Sequence, residues 1–466
     1  MDSAPALRKL LQHALKARAH AVGFASADHQ FSWASLIEPA PSGLVVNQVA
    51  DRSIILITRS QAAAASALVA LDGVAASLVI CPPDFDLAHL AYVAKLAQAD
   101  LILTDDPDLQ SAGLETHFVC PPFGLELEPS AGRQSLTEWR LFTSGTTGTP
   151  KLAVHTLKGL TGAIPAANPA SAADPPTVWG TFYDIRRYGG LQIFLRALCG
   201  GAALCVSEKD EPVGAYLTRL GAAGVTHLTG TPSHWRRALM SPHLEEIAPR
   251  YVRLSGEIAD QGLLDRLAKT FPSAKLGHAY ASTEAGVAFE VTDGLEGFPR
   301  ALLDRTNGPV RLKIRDGALL IRSDRCALRY LGDDAKPVAD ADGYVDTDDL
   351  IEVRDDRCYF AGRRAGVINV GGAKVHPEEV EAVLNRHPDV ELSRVFARQS
   401  PLTGALVAAE VVARAEGRVF QQMPELSADL RRMCREALGA VKTPATLGFV
   451  DSLPLSAAGK LDRRRA

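Results

Sequence analysis

Residues 141–151 read Leu141-Phe142-Thr143-Ser144-Gly145-Thr146-Thr147-Gly148-Thr149-Pro150-Lys151, with hydroxyls, glycines and a lysine crowded into one short run. Glycine has no Cβ, so the backbone N–H groups beside it can close around an anion. Thr143, Ser144, Thr146 and Thr147 add hydroxyl donors, and Lys151 adds a mobile positive charge. Such a set suits a polyphosphate. A solvated turn uses the same residue types, and the rest of the chain has to separate the two readings. Pro150 stands where a Walker loop has glycine before its lysine, and proline argues against the loop running straight into a helix.

Immediately upstream, Glu138 to Phe142 predicts a strand that delivers the loop at its carboxyl end, where open α/β sheets hold ligands. Towards the N-terminus, Ser53 to Thr58, Ser77 to Cys81 and Leu101 to Thr104 predict buried strands. Gln61 to Leu71 and Leu87 to Gln98 predict the helices between them, and residues 5–23 an amphipathic helix. Alternation of this kind implies βαβ units, a mostly parallel sheet and helices on both faces. After a loop-rich break from Pro165 to Pro176, a second αβ set follows, with strands at 178–183, 203–206, 225–229, 251–255 and 276–280. Its helices are expected at 190–198, 213–223 and 232–240. Between Gly308 and Phe360 short alternating strands with Gly and Asp turns predict a small β-rich subdomain. A final part with strand–helix–strand character begins at Gly362, with helices expected at 377–387 and 426–438.

Composition narrows the class. At 466 residues, 47% hydrophobic and 22% charged, the chain is an ordinary globular protein of several domains. Its net charge of −4 gives no general pull toward nucleic acid, although residues from 362 onward hold 16 Lys+Arg against 12 Asp+Glu. That basic end could favour anionic ligands or an acidic partner. Seven scattered cysteines form no CxxC and no zinc-like cluster, as expected of reduced thiols. No apolar run approaches membrane-spanning or signal-peptide length, so no membrane association is expected and a cytoplasmic location is.

Four further segments complete a pattern. Tyr280-Ala281-Ser282-Thr283-Glu284, Gly343-Tyr344-Val345-Asp346-Thr347-Asp348-Asp349, the run Phe360 to Glu381 with Gly371-Gly372-Ala373-Lys374, and Pro454 to Arg463 around Lys460 follow the Gly/Thr loop in that order. Together they closely resemble the motifs of the adenylate-forming superfamily, which comprises acyl- and aryl-CoA synthetases, peptide-synthetase adenylation domains and luciferase. The likeness covers roughly residues 45–465 and looks closest to the acyl- or aryl-CoA ligases. It implies an α/β fold with a large multi-layer N-terminal domain over 1–361, including the β-rich subdomain. A small α+β C-terminal domain over 362–466 would carry the catalytic lysine and swing about a hinge. By the same resemblance, Pro150 belongs to the family's own Thr-Gly-x-Pro-Lys signature.

The resemblance implies ATP-dependent activation of a small carboxylic acid to an acyl-adenylate, then transfer to a phosphopantetheine thiol of CoA or of an acyl or peptidyl carrier protein. Passage of the acyl group to a non-thiol nucleophile such as an amine is the alternative, and a non-catalytic nucleotide-binding relative is the rival of another class. The acid stays unnamed, and monomer and homodimer both stay open. Thr143 to Gly148 with Lys151 would grip the phosphates, while Gly256, Glu257 and Ala279 to Ser282 would floor the adenine site. Asp349 and Arg363 would hold the ribose, Thr283 the α-phosphate and Glu284 a Mg²⁺ ion. Lys460 would stabilise the charge that develops as the carboxylate attacks. Gly371, Gly372 and Lys374 would line the thiol tunnel.

Departures from the pattern are Ala281 for glycine, Asp348 for glycine and Ala365 for the hinge Asp or Lys. Asp348 could weaken nucleotide affinity or face solvent. For the acid pocket, Tyr183, Arg187, Tyr188, Gly230 and Trp235 are the candidates. Arg187, where many relatives have a gating histidine, could meet an anionic substrate group or pair with Asp184. Trp235 could equally be core.

Overall fold

The computed structural model describes residues 6–17, 22–38, 45–125, 136–143, 150–165, 176–332, 335–400, 404–414, 423–456 and 459–462. Two large sheets form the body. One runs, in spatial order, Gly286–Val291, Lys275–Ser282, Tyr251–Ser255, His227–Gly230, Val178–Thr181, Ala203–Val206, Phe24–Ala25 and Gln30–Phe31, and it is parallel except at its two edges. The other centres on the parallel strands Ser53–Ile57, Ser77–Ile80, Leu101–Thr104 and Glu138–Phe142.

Between the sheets lies the helix Gln61–Leu71, every residue of which is buried. Its alanines leave a narrow cylinder, and Ser60 caps it by accepting a hydrogen bond from the Ala63 N–H. Each end is tied to a different sheet. The Gln61 side chain donates to the Ser207 carbonyl at 2.6 Å, and Asp72 accepts from the Trp139 indole at 2.8 Å. One continuous core takes in this helix, the helices Leu7–Ala17 and Tyr188–Cys199, and the inner faces of both sheets. Helices Val213–Ala222, Pro232–Ala238 and Gln261–Thr270 cover one outer face, and Leu90–Ala97 covers part of the other. The expected helices on both sheet faces are therefore present, in five layers among the described residues. The α/β class with a large multi-layer body and a smaller α+β unit stands.

The β-rich region is an antiparallel sheet of Phe298–Pro299, Arg357–Arg363, Val345–Arg354, Ala318–Ser323 and Val310–Arg315. Beyond it, Ile368–Val370, Ala373–Val375, Val390–Ser400, Gly404–Ala413 and Thr446–Phe449 form another sheet with its own core, against helices Pro377–Leu384 and Met423–Leu438. The strand–helix–strand expectation for this last part missed the long antiparallel pair Val390–Ser400 and Gly404–Ala413. All seven cysteines are unpaired. Among the described residues no helix is long and apolar enough to cross a membrane.

Trp235 belongs to the core and not to a pocket wall. It is fully buried among Phe182, Phe271 and the helices of the outer face, and its indole donates to the Arg253 carbonyl at 3.3 Å. Trp235→Ala is expected to cost about 3–5 kcal/mol of stability, measured as a lowered urea midpoint. A loss below about 1 kcal/mol would contradict the core placement.

Candidate active site

Strand ends converge on one edge of the body. The strand Glu138–Phe142 pairs antiparallel with Leu152–His155, so the segment between them delivers the chain to a strand and not to a helix, as Pro150 argued. Its neck is closed by a hydrogen bond from the Thr143 N–H to the Lys151 carbonyl at 3.0 Å. Ser144, Gly145, Thr146, Thr147 and Gly148 lie outside the described residues. Lys151 is exposed at the exit.

The second sheet contributes Ala279 to Ser282 on its penultimate strand and Thr283-Glu284 in the turn to Gly286–Val291. Gly286 has φ +72°, and a Cβ there would fall 2.4 Å from the Arg325 carbonyl oxygen, so the turn needs glycine. His155 fixes this turn. Its Nε2 lies 2.8 Å from the Thr283 carbonyl, and burial pushes the imidazole pKa down to about 4, so the ring is neutral at pH 7 with Nε2–H donating. No motif pointed to His155, which occupies an ordinary strand position. Among the described residues the Glu284 carboxylate has only a long contact, 3.4 Å, from the Tyr330 hydroxyl. A carboxylate with so few partners is a fitting ligand for Mg²⁺, which takes few protein oxygens and completes its shell with phosphate and water.

Tyr280 stacks on Phe360 with ring centroids 5.3 Å apart, and its hydroxyl donates to Asp349. Burial and the Asp349 charge both hold the phenol well above its usual range. Asp349 also pairs with Arg363 at 3.2 Å. Burial raises the Asp349 carboxyl, while the Tyr280 hydroxyl, Arg363 and Lys460 oppose that shift. Asp348 has φ +64°, the left-handed backbone that favours glycine and that aspartate tolerates. Of the alternatives open for its carboxylate, neither describes it fully. It pairs with Arg364 at 2.9 Å, and so ties the β-rich sheet to the turn that begins the last part.

Lys460 arrives from the far end of the chain. Its side chain lies against Gly256, where an added Cβ would meet Cε at 3.3 Å and Nζ at 3.9 Å. Burial lowers the pKa of its ammonium; Glu257 opposes that most strongly, Arg363 and Arg187 add to it, and Asp349 opposes it as well. The segment carrying Lys460 is docked by named contacts. The Leu461 N–H donates to Glu257 Oε1 at 2.7 Å, and the Thr231 hydroxyl donates to the Gly459 carbonyl at 2.6 Å. Gly459 lies so close to His234 that a Cβ would sit 1.8 Å from the ring. Glu257 holds the other side too, accepting from the Ser233 N–H at 2.9 Å and from its hydroxyl at 3.0 Å. Glu257 is thus a docking residue here. Its place beside the adenine-floor candidates in sequence gave no sign of that, and His234 carried no signal at all.

Beside this cluster a small cavity opens, lined among others by Tyr183, Gln192, Thr229, Arg253, Ser255 and Ala281. The Tyr183 hydroxyl donates to the Ser255 carbonyl at 2.8 Å, and burial pushes its pKa up. Of the pocket candidates only Tyr183 lines this space. Arg187 pairs with Asp84, whereas Asp184 is taken by Arg186 at 2.6 Å; Arg187 is still close enough for its charge to act on Lys460. Tyr188 is buried with its ring 5.7 Å from His155, and Gly230 packs against Phe182 and His234. Gln192, Thr229 and Arg253 escaped the sequence reading because they sit inside regular elements. Gly371 and Gly372, with φ +55° and +92°, make the exposed turn of the hairpin Ile368–Val370 to Ala373–Val375, next to exposed Lys374. A Cβ on Gly372 would meet nothing within 4 Å, so the structure does not bring the tunnel candidates to the cluster around Lys460.

The chain belongs to the AMP-binding enzyme family, whose pattern matches residues 43–318, with the AMP-binding enzyme C-terminal domain matching 379–460. It is 27% identical over 349 residues to a probable CoA ligase of Humulus lupulus, covering 70% of this chain and 64% of that protein. It is 26% identical to chondramide synthase of Chondromyces crocatus, covering 82% of this chain and 10% of the synthase. The chain therefore spans less than two thirds of these relatives' length. Among solved structures, a benzoate CoA ligase of Burkholderia xenovorans matches with a TM-score of 0.79 at 19% identity, over 99% of both chains.

Removing the Glu257 carboxylate tests the docking. Glu257→Ala is expected to lower amide hydrogen-exchange protection at Leu461 by about tenfold or more, since one lost charged hydrogen bond is worth about 1.5–3 kcal/mol. Unchanged protection would mean that the segment is held by other contacts.

Proposed function

We propose that this protein is an AMP-forming carboxylate ligase: it joins a small carboxylic acid to ATP as an acyl-adenylate with release of pyrophosphate, then transfers the acyl group to a phosphopantetheine thiol. The observation that carries the reading is Lys460, held among Glu257, Asp349 and Arg363 and against Gly256, one residue on from the cavity-lining Ser255. A cation there would offset charge gathering between the attacking carboxylate oxygen and the α-phosphorus. The division into residues 1–361, binding ATP and acid, and 362–466, bringing the lysine, is part of the proposal.

In this reading the chain works by positioning and electrostatics. Asp349 and Arg363 orient the ribose, with the Asp349 carboxylate accepting from its hydroxyls. Tyr280 offers a ring to adenine. Thr143, Lys151 and the run between them hold the β- and γ-phosphates, while Thr283 faces the α-phosphate on a turn set by His155. Glu284 would ligate Mg²⁺, which when bound neutralises phosphate charge. Transfer to the thiol requires the Lys460 segment to leave and the Gly371-Gly372 hairpin to approach, because the docked arrangement presents only the lysine. CoA and a carrier-protein arm both fit this second step. The resemblance to CoA ligases favours CoA, and the match to a synthetase keeps the carrier in view.

ATP–pyrophosphate exchange over a panel of aryl, aliphatic and amino acids is the direct test, and at least one acid should drive it. Absence of exchange with every acid, in folded protein, would defeat the reading. The lysine's part is separable. Lys460→Ala is expected to lower adenylation by about 100-fold or more while leaving thioester formation from supplied acyl-adenylate largely intact. Equal loss of both steps would remove the role assigned to Lys460.

A further inference from the structure

Arg253 is only 6% exposed, yet it lines the cavity. It stands on the inner strand Tyr251–Ser255, flanked by parallel neighbours on both sides. Its charge is poorly matched from within the protein. Among the described residues Nε has no hydrogen-bond partner, and the only ion pair, to Glu290 Oε1, is stretched to 3.8 Å. That same oxygen already accepts the Tyr251 hydroxyl, and the Glu290 side chain is one-third exposed. Arg196 lies in electrostatic range of both Arg253 and Glu290, so at least two guanidinium groups compete for this carboxylate. Arg196 donates to the Ala163 carbonyl at 3.3 Å and has its own Nε buried without a partner, while Arg325 donates to the Val287 carbonyl at 3.0 Å. A buried cation with so weak a counter-charge is costly unless an anion from outside completes it.

The strand supplies the direction. Arg253 and Ser255 are two residues apart and so point to the same face, separated by about 7 Å along the strand. Ser255 leads into Gly256 and hence to Lys460. Arg253 therefore stands farther along the cavity from Lys460 than Ser255 does. A ligand spanning the two would present one acidic group to each.

We propose that the acid this protein activates carries a second carboxylate, which Arg253 receives inside the cavity while the first faces Lys460. The inference rests on the acid-activating reading above. A guanidinium fork matches a carboxylate with two parallel hydrogen bonds, which a neutral ester cannot reproduce. The ligand class is thus a compact dicarboxylic acid, aliphatic or aromatic. A simple aryl or fatty acid would leave Arg253 unmatched.

The test is ATP–pyrophosphate exchange with a series of dicarboxylic acids, each paired with its monomethyl ester, alongside plain monoacids. At least one diacid is expected to exceed its ester in kcat/KM by about 100-fold or more, as expected when a buried polar partner goes unmatched. Arg253→Met should abolish that preference through the KM for the diacid, leaving the KM for ATP unchanged, and Arg253→Lys should restore part of it. The wild-type comparison decides even if the methionine variant folds poorly. Esters or monoacids that match or outperform the diacids would overturn the proposal and leave acid activation standing. Exchange with no acid of any kind would overturn acid activation itself, and this proposal with it.

Discussion

One carboxylate stands at the junction where the end of the chain meets the body. Glu257 accepts hydrogen bonds from the Ser233 N–H and hydroxyl on the body and from the Leu461 N–H at the end of the chain. An ionised acceptor makes stronger bonds than a neutral one, and three donors leave it little freedom to turn. Lys460 is the neighbour of Leu461, so its position follows from this junction. Thr231 and His234, on the same helix start as Ser233, add a hydrogen bond and a shape constraint at Gly459.

The charges around that lysine form an ordered sequence. Tyr280 and Arg363 both engage Asp349, and Arg364 engages Asp348 one residue earlier. Aspartate at this left-handed backbone position thus adds an ion pair to the segment that links the two parts.

The parts legible in sequence were those written in local chemistry. The alternation of apolar runs gave the layers, and Pro150 argued for a loop that does not enter a helix, which the antiparallel return to Leu152–His155 bears out. Short-range motifs placed Tyr280, Asp349, Arg363 and Lys460, residues scattered over 180 positions that the fold brings together. What could not be read was which way a side chain faces inside a regular element. Trp235 looked like a pocket wall and is core, while Arg253, two strand positions before Ser255, looked like sheet interior and borders the cavity. Likewise Arg186 and Arg187 are adjacent in sequence, and only three-dimensional packing decides that the first takes Asp184 and the second Asp84.

The buried helix Gln61–Leu71 has an effect well away from its own position. It separates two sheets, one ending at Thr143 and the other at Ser255 and at the Thr283-Glu284 turn. The gap between the Thr143 edge and the Ser255 edge is therefore gauged by the girth of that helix, and alanine makes the girth as small as a helix permits while still filling the space. A methyl group is in this sense the spacer between the two sheets. Bulkier residues at these positions would push the two edges apart without touching either, so the spacing of the strand ends is set by the least reactive side chains in the chain.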